Sequence, residues 1–134
     1  MEEPMKKTTQ TVIDALQNVV CSPEHSEHEI ALYFDPGYQQ VVDGHRLDYR
    51  EFIQHMALLK SQTTQIKVSV LSAVTEDQTV FTHHHVNAAK IQGEHCEFEV
   101  FARFTLSSGK IIRCEELTRM IRGTSGDRDL GGRH

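Results

Sequence analysis

Residues 95–106, HCEFEVFARFTL, decide the fold. Cys96, Phe98, Val100, Ala102, Phe104 and Leu106 recur at every second position, with His95, Glu97, Glu99, Phe101, Arg103 and Thr105 between them. A strand sends successive side chains to opposite faces, so the first set faces an interior and the second an outer surface. Three further segments carry β-branched and aromatic residues: Ile66 to Val74, Val80 to Ala89 and Ile111 to Ile121. Turn residues separate them at Glu76-Asp77-Gln78, Gln92-Gly93-Glu94 and Ser107-Ser108-Gly109. Long consecutive strands with short connections make an antiparallel meander.

Upstream the period changes. Val12, Ile13, Leu16, Val19 and Val20 recur at spacings of three and four, which predicts an amphipathic helix over about 7–21, started by Thr8, Thr9 or Thr11 and ended by Ser22-Pro23. Ser26 stands three residues before Glu29, the capping-box spacing, and predicts a second helix to Tyr33. Asp35-Pro36-Gly37 reads as a turn, Tyr38 to Val42 as a short strand, and Asp43-Gly44 as the turn that closes it. Asp48, with Glu51 three residues on, predicts the cap of a third helix carrying Phe52, Ile53, Met56, Leu58 and Leu59. Helices first and strands afterwards imply an α+β fold with the helices on one face of a curved sheet.

The composition is that of one globular domain. The 134 residues are 38% hydrophobic and 25% charged, enough to bury a core without a metal or disulfide. Lys and Arg number 14 against 19 Asp and Glu, a formal net charge of -5, which argues against nucleic acid as a partner. No apolar run approaches the length of a membrane helix, and MEEPMKK at the start lacks a signal-peptide core. Cys21, Cys96 and Cys114 form no CxxC, so a reducing, cytoplasmic setting is expected. Residues 1–122 are expected to form the domain, and 123–134, GTSGDRDLGGRH, a flexible tail.

Two quoted stretches and the strands between them carry a resemblance to a known family. YFDPGYQQVVDGHRLDYREFIQHMALLK at 33–60 matches an aromatic residue, turn, short strand, DG turn and helix, and SSGKIIRCEELTRMI at 107–121 matches a final hairpin with an acidic strand. In this order they resemble the SnoaL-like branch of the nuclear transport factor 2-like superfamily. The resemblance implies a strongly bent antiparallel sheet wrapped around the N-terminal helices into a cone with a pocket at its open end. Members of that superfamily include ketosteroid isomerases, polyketide cyclases, dehydratases, epoxide hydrolases and proteins with no enzymatic role, so the resemblance specifies no reaction.

Three residues are the candidate acid–base groups. On the last strand Glu116 shares parity with Ile112, Cys114 and Met120, whereas Glu115 sides with Arg113 and Arg119, so Glu116 is placed inward. Desolvation would raise its pKa into the range a general acid or base needs. Asp43 stands where the resemblance to ketosteroid isomerases implies a general base, although this chain lacks their first-helix tyrosine, and an Asp before Gly44 is also ordinary turn chemistry. His55 on the third helix would point into the cone. Tyr33 or Tyr38 would polarise a carbonyl oxygen.

Phe52, Met56, Phe98 and Phe104 would shape the pocket. The run His83-His84-His85 offers both faces of a strand: His83 and His85 side with Phe81 and Asn87, His84 with Val80, Thr82 and Val86. Parity leaves the choice of face open, and His83 and His85 are counted with the pocket lining. Such an HxH pair becomes a metal site only if a third ligand, His55 or a carboxylate, converges on it. No nucleotide, Ser-hydrolase or zinc-protease motif is present, and neither metal nor cofactor is expected. The expected function is binding of a small apolar carbonyl compound, with isomerase or cyclase chemistry. The alternative is a non-enzymatic module whose cone is filled. Either is compatible with a homodimer through the outer sheet face, where Phe101 lies among His95, Glu97, Glu99 and Arg103.

Overall fold

Helix α1 spans Glu3–Ala15 and runs on into a single π-helical turn, Leu16–Val20, closed by the Cys21 amide donating to the Leu16 carbonyl at 3.0 Å. The computed structural model describes residues 3–123, so the flexible tail expected over 123–134 lies, past Gly123, outside the described residues. The helix begins before the threonines expected to cap it. Thr8 is buried within it, and the Thr11 hydroxyl donates back to the Lys7 carbonyl at 2.9 Å, a bond open to a threonine inside a helix. Val12, Ala15, Leu16 and Val19 form the buried stripe. Lys60 Nζ donates to the carbonyls of Val19 and, at 3.0 Å, Glu24, so a cation closes the helix end that would otherwise present unpaired oxygens. Helix α2, Glu27–Tyr33, starts as expected at Ser26, whose hydroxyl accepts from the Glu29 amide at 3.1 Å, and it buries Ile30.

Strand β1 covers Phe34–Val42 and therefore contains Asp35-Pro36-Gly37, which the sequence suggested as a turn. Pro36 has no amide to give a ladder, and the pairing register shifts between Phe34 and Gln39, so the segment is an irregularity within the strand. Asp43 and Gly44 have φ of 50 and 86, the left-handed pair of a tight hairpin. They lead into β2, His45–Asp48, a short strand without a clear sequence signal. Asp48 then caps α3, Tyr49–Gln62, with both halves of the capping box made: the Glu51 amide donates to Asp48 at 2.8 Å and the Asp48 amide to Glu51 at 3.0 Å. One face of α3 buries Phe52, Ile53, His55, Met56 and Leu59.

The remaining chain is the meander: β3 (Thr63–Glu76), β4 (Thr79–Lys90), β5 (His95–Ser107) and β6 (Lys110–Arg122). The six strands lie in the order β2-β1-β6-β5-β4-β3. All neighbours are antiparallel except β1 and β6, which pair in parallel, so the sheet is mixed and places the β1–β2 hairpin beside β6. The six inward residues of β5 are at most 4% exposed. On β6 the register shifts opposite Thr105/Leu106, and Ile111 and Cys114 both turn inward. Ile112, expected beside Cys114 on the inner face, is only half-buried because that extra residue breaks the alternation ahead of Cys114. Among the described residues no helix is long and apolar enough to cross a membrane.

Helices and sheet meet at an aromatic cluster. The rings of Phe34, Tyr38 and Phe52 lie 4.8 to 4.9 Å apart, centre to centre, in edge-on and tilted arrangements. Phe52→Ala is expected to cost about 3–5 kcal/mol in chemical denaturation. Leu58→Ala, on the exposed side of the same helix, should change stability by no more than about 0.5 kcal/mol. Equal losses in the two variants would contradict this placement of α3.

Candidate functional site

A cavity of about 90 Å³ lies between α1, α3 and the inner face of the sheet. Its wall is mostly apolar, with Leu16, Phe34, Phe52, Met56, Phe98, Val100 and Phe104 among the lining. Five residues bring polar atoms: Tyr38 and Gln40 from β1, His55 from α3, His84 from β4 and Glu116 from β6. Each strand residue reaches the cavity by parity. Tyr38, Gln40 and Val42 alternate inward on β1, and Val80, Thr82 and His84 on β4.

Two hydrogen-bonded pairs occupy one side. The Tyr38 hydroxyl donates to Gln40 Oε1 at 2.9 Å, and the Cys114 thiol donates to Glu116 Oε2 at 3.2 Å. Burial raises the Tyr38 hydroxyl well above its ordinary value, and the nearby Cys114 and Glu116 add to the effect. Cys114 is raised likewise, first by burial and then by Glu116, so it stays a thiol. The Glu116 carboxyl is pushed up to about 7 by burial, against the Cys114 hydrogen bond and with the help of the Asp43 charge. It therefore exchanges its proton near neutrality. On the β4 side, the Thr82 hydroxyl and His84 Nδ1 share a hydrogen bond of 2.8 Å. Burial, with His83 and His85 beside it, pushes His84 down to about 4, so its ring is neutral at physiological pH.

Of the residues singled out in the sequence, His55, Glu116, Tyr38, Phe52, Met56, Phe98 and Phe104 come together on this cavity. Asp43 does not line it. Its carboxylate accepts from the Thr118 amide at 2.9 Å and from the Thr118 hydroxyl, which ties the β1–β2 hairpin to β6. Tyr33 is also off the cavity wall, and its hydroxyl accepts from Asn18 Nδ2 at 2.7 Å. His83 and His85 correct the sequence reading: they lie on the outer face, and His84, only 3% exposed, lines the cavity instead. The signal was present in the shared parity of His84 with Val80 and Thr82, both inward. Gln40 was missed too, although it falls between Tyr38 and Val42 at the same parity. On the outer face, ligand atoms of His83, His85 and Glu99 lie within 4.8 Å of one another.

No protein-family model matches the chain. It is 30% identical over 99 residues to an uncharacterized protein of Schizosaccharomyces pombe, a match that covers 74% of this chain and 76% of that protein. Among solved structures it is similar to a protein of Jannaschia sp. CCS1 assigned as a SnoaL-like polyketide cyclase, with a TM-score of 0.71 and 14% identity over 86% of this chain and 87% of that one. It is also similar to an LEH-like epoxide hydrolase of M. tuberculosis, with a TM-score of 0.72 and 12% identity over 86% of this chain and 84% of that one. At such identities the likeness to the solved structures is one of fold.

Glu116 and His84 should leave opposite marks on stability. Between 4.5 and about 7 the folded chain holds a proton on Glu116 that the unfolded chain releases, so that contribution is full below 4.5 and lost as pH rises through 7. Between about 4 and 6.5 the unfolded chain takes a proton on His84 that the folded chain refuses, so that contribution is full above 6.5 and lost as pH falls. In the overlap the two offset each other. Relative to the parent protein, Glu116→Gln should therefore gain stability with rising pH, by up to about 1.4 kcal/mol per pH unit, and His84→Gln should lose it. Urea denaturation across this range checks both; three parallel curves would contradict the two shifts.

Proposed function

The chain belongs to the same family as the fission-yeast protein and has the SnoaL-like fold of the nuclear transport factor 2-like superfamily, and on that premise we propose that it binds a small apolar carbonyl compound and acts on it as a cofactor-independent isomerase or cyclase. One observation carries this reading: a carboxyl group pushed up to about 7 by burial stands on the wall of an apolar cavity that also carries the neutral ring of His84. Such a carboxyl can take a proton from carbon beside a carbonyl and return it elsewhere. Glu116 is the proton-transfer group in this reading. His55 and His84 are the groups to bind and polarise the carbonyl oxygen, and the Tyr38 hydroxyl joins them by turning its proton from Gln40 to the ligand. Asp43 acts through Glu116: its charge adds to the larger effect of burial in keeping the carboxyl basic, without touching the ligand. The aromatic wall of Phe52, Phe98 and Phe104, with Met56, holds the apolar part of the ligand.

The cavity limits ligand size. One water needs roughly 10–15 Å³ in this measure, so about 90 Å³ takes on the order of six heavy atoms unless a side chain swings aside. That small volume also favours a second reading, a non-enzymatic binding module, since sites for larger ligands run to roughly 300–1,000 Å³. A homodimer through the outer face fits both. Val74, Phe81, Phe101 and Leu117 are each about half exposed or more on that face, and Arg103 lies over the Phe81 ring at 5.9 Å. The three free cysteines support a reducing, cytoplasmic setting.

Native mass spectrometry of the protein, after exposure to a panel of small ketones and enones, tests the first reading. A retained ligand is expected, and Glu116→Gln should still bind it while losing about 10²- to 10⁴-fold in turnover or α-proton exchange. Full exchange activity in Glu116→Gln would overturn the acid–base role, and retention of no panel member would favour the module. For the dimer, Phe101→Glu with Leu117→Glu should halve the mass seen by light scattering; an unchanged mass would place the interface elsewhere.

A further inference from the structure

We propose that His83, His85 and Glu99 form a binding site for a divalent transition-metal ion, best suited to zinc, on the outer face of the sheet. The site is separate from the cavity and does not depend on the reading given to it. His83 and His85 stand two residues apart on β4, which puts both imidazoles on one face. Glu99 on β5 is directly opposite His85 in the ladder and diagonal to His83, within reach of a long side chain. The three donors thus come from two hydrogen-bonded strands, and their ligand atoms already lie within 4.8 Å of one another.

The surroundings hold two of the three donors in place. The His83 ring stacks on Phe101, with centres 4.3 Å apart and planes at 7°, and its Nε2 shares a 2.8 Å hydrogen bond with Glu99 Oε2. Arg119, opposite Glu99 on β6, donates from Nε to Oε1 at 3.0 Å and holds Nη2 in an ion pair at 3.0 Å from the same oxygen, which leaves Oε2 turned toward His83. That is the arrangement of a ligating carboxylate steadied through its other oxygen. The His83 ring meets its edge-on neighbour His85 at 5.9 Å between centres.

Two imidazoles and a carboxylate are a zinc donor set, with water left to complete a tetrahedron. Ligand atoms around tetrahedral zinc sit roughly 3.4 Å apart, so the half-buried side chains must close by up to about 1.5 Å. Zinc takes the lone pair of His83 Nε2; the ring proton moves to Nδ1, and the hydrogen bond to Glu99 is exchanged for two metal bonds. The ion then ties β4 to β5.

The experiment is titration of the EDTA-treated 134-residue protein with zinc chloride, followed by calorimetry and by the ring ¹⁵N signals of the histidines. One ion per chain is expected, with a raised Tm and with shifts concentrated on His83 and His85. His85→Asn and Glu99→Gln should each weaken binding by more than the roughly 10- to 100-fold that loss of an outer partner costs, while folding, read by circular dichroism, is kept. His95→Asn, an exposed histidine on the same face, should bind like the parent. Absence of zinc binding in the parent, equal binding in His85→Asn and Glu99→Gln, or shifts centred on other histidines would overturn the proposal.

Discussion

Six side chains of β5, from Cys96 to Leu106, point to one side of the sheet and lose contact with water, and that requirement organises the molecule. A strand buried so completely on one face needs neighbours on both edges and a cover on the inner side. β4 and β6 supply the edges, and α1 and α3 supply the cover. The cover is incomplete. Where the aromatic cluster of Phe34, Tyr38 and Phe52 ends, the sheet and helices leave the cavity, and the inward positions of five strands and two helices become its wall. The chemistry of the site is thus the chemistry of core positions that carry polar side chains. Each pays in desolvation, which is why Glu116 rises, His84 falls and Cys114 stays protonated.

Signals confined to one strand or one helix turn were legible in the sequence. The parity of β5, the capping box at Asp48 and Glu51, the cap at Ser26 and the Asp43-Gly44 turn all depend on residues close in the chain, and all are present in the structure. The inward placement of Glu116 followed from the same alternation, counted from Cys114. Local signals failed where pairing decides. Pro36 and Gly37 suggest a turn, but pairing with β6 on both sides of them, at Phe34 and from Gln39, makes them an irregularity within one strand. The parallel β1–β6 pairing joins residues separated by most of the chain, and the extra residue near Ile112 is a matter of register against β5.

The three consecutive histidines show the same limit. Alternation guarantees that His84 opposes His83 and His85, but the face that meets the core depends on which of Val80 and Phe81 is buried, and Val80 is. One tripeptide therefore serves both faces: a neutral ring on the cavity and a pair of donors outside. The third outer donor, Glu99, belongs to another strand and becomes a neighbour only through the β4–β5 ladder. Asp43 shows the reverse case: a turn former with φ of 50 and both oxygens on Thr118, it stands off the cavity wall and acts on Glu116 through its charge.

Everything proposed for the cavity turns on a carboxyl group that holds its proton up to neutrality. Titration of the Glu116 side-chain carbonyl by ¹³C NMR measures this directly, with Glu116→Gln used to assign the signal. A midpoint at about 7 is expected, moving down in Asp43→Asn as the neighbouring charge is removed. A midpoint at the ordinary 4.5 would mean that the carboxyl is solvated and that the cavity has no group poised for proton transfer by this route.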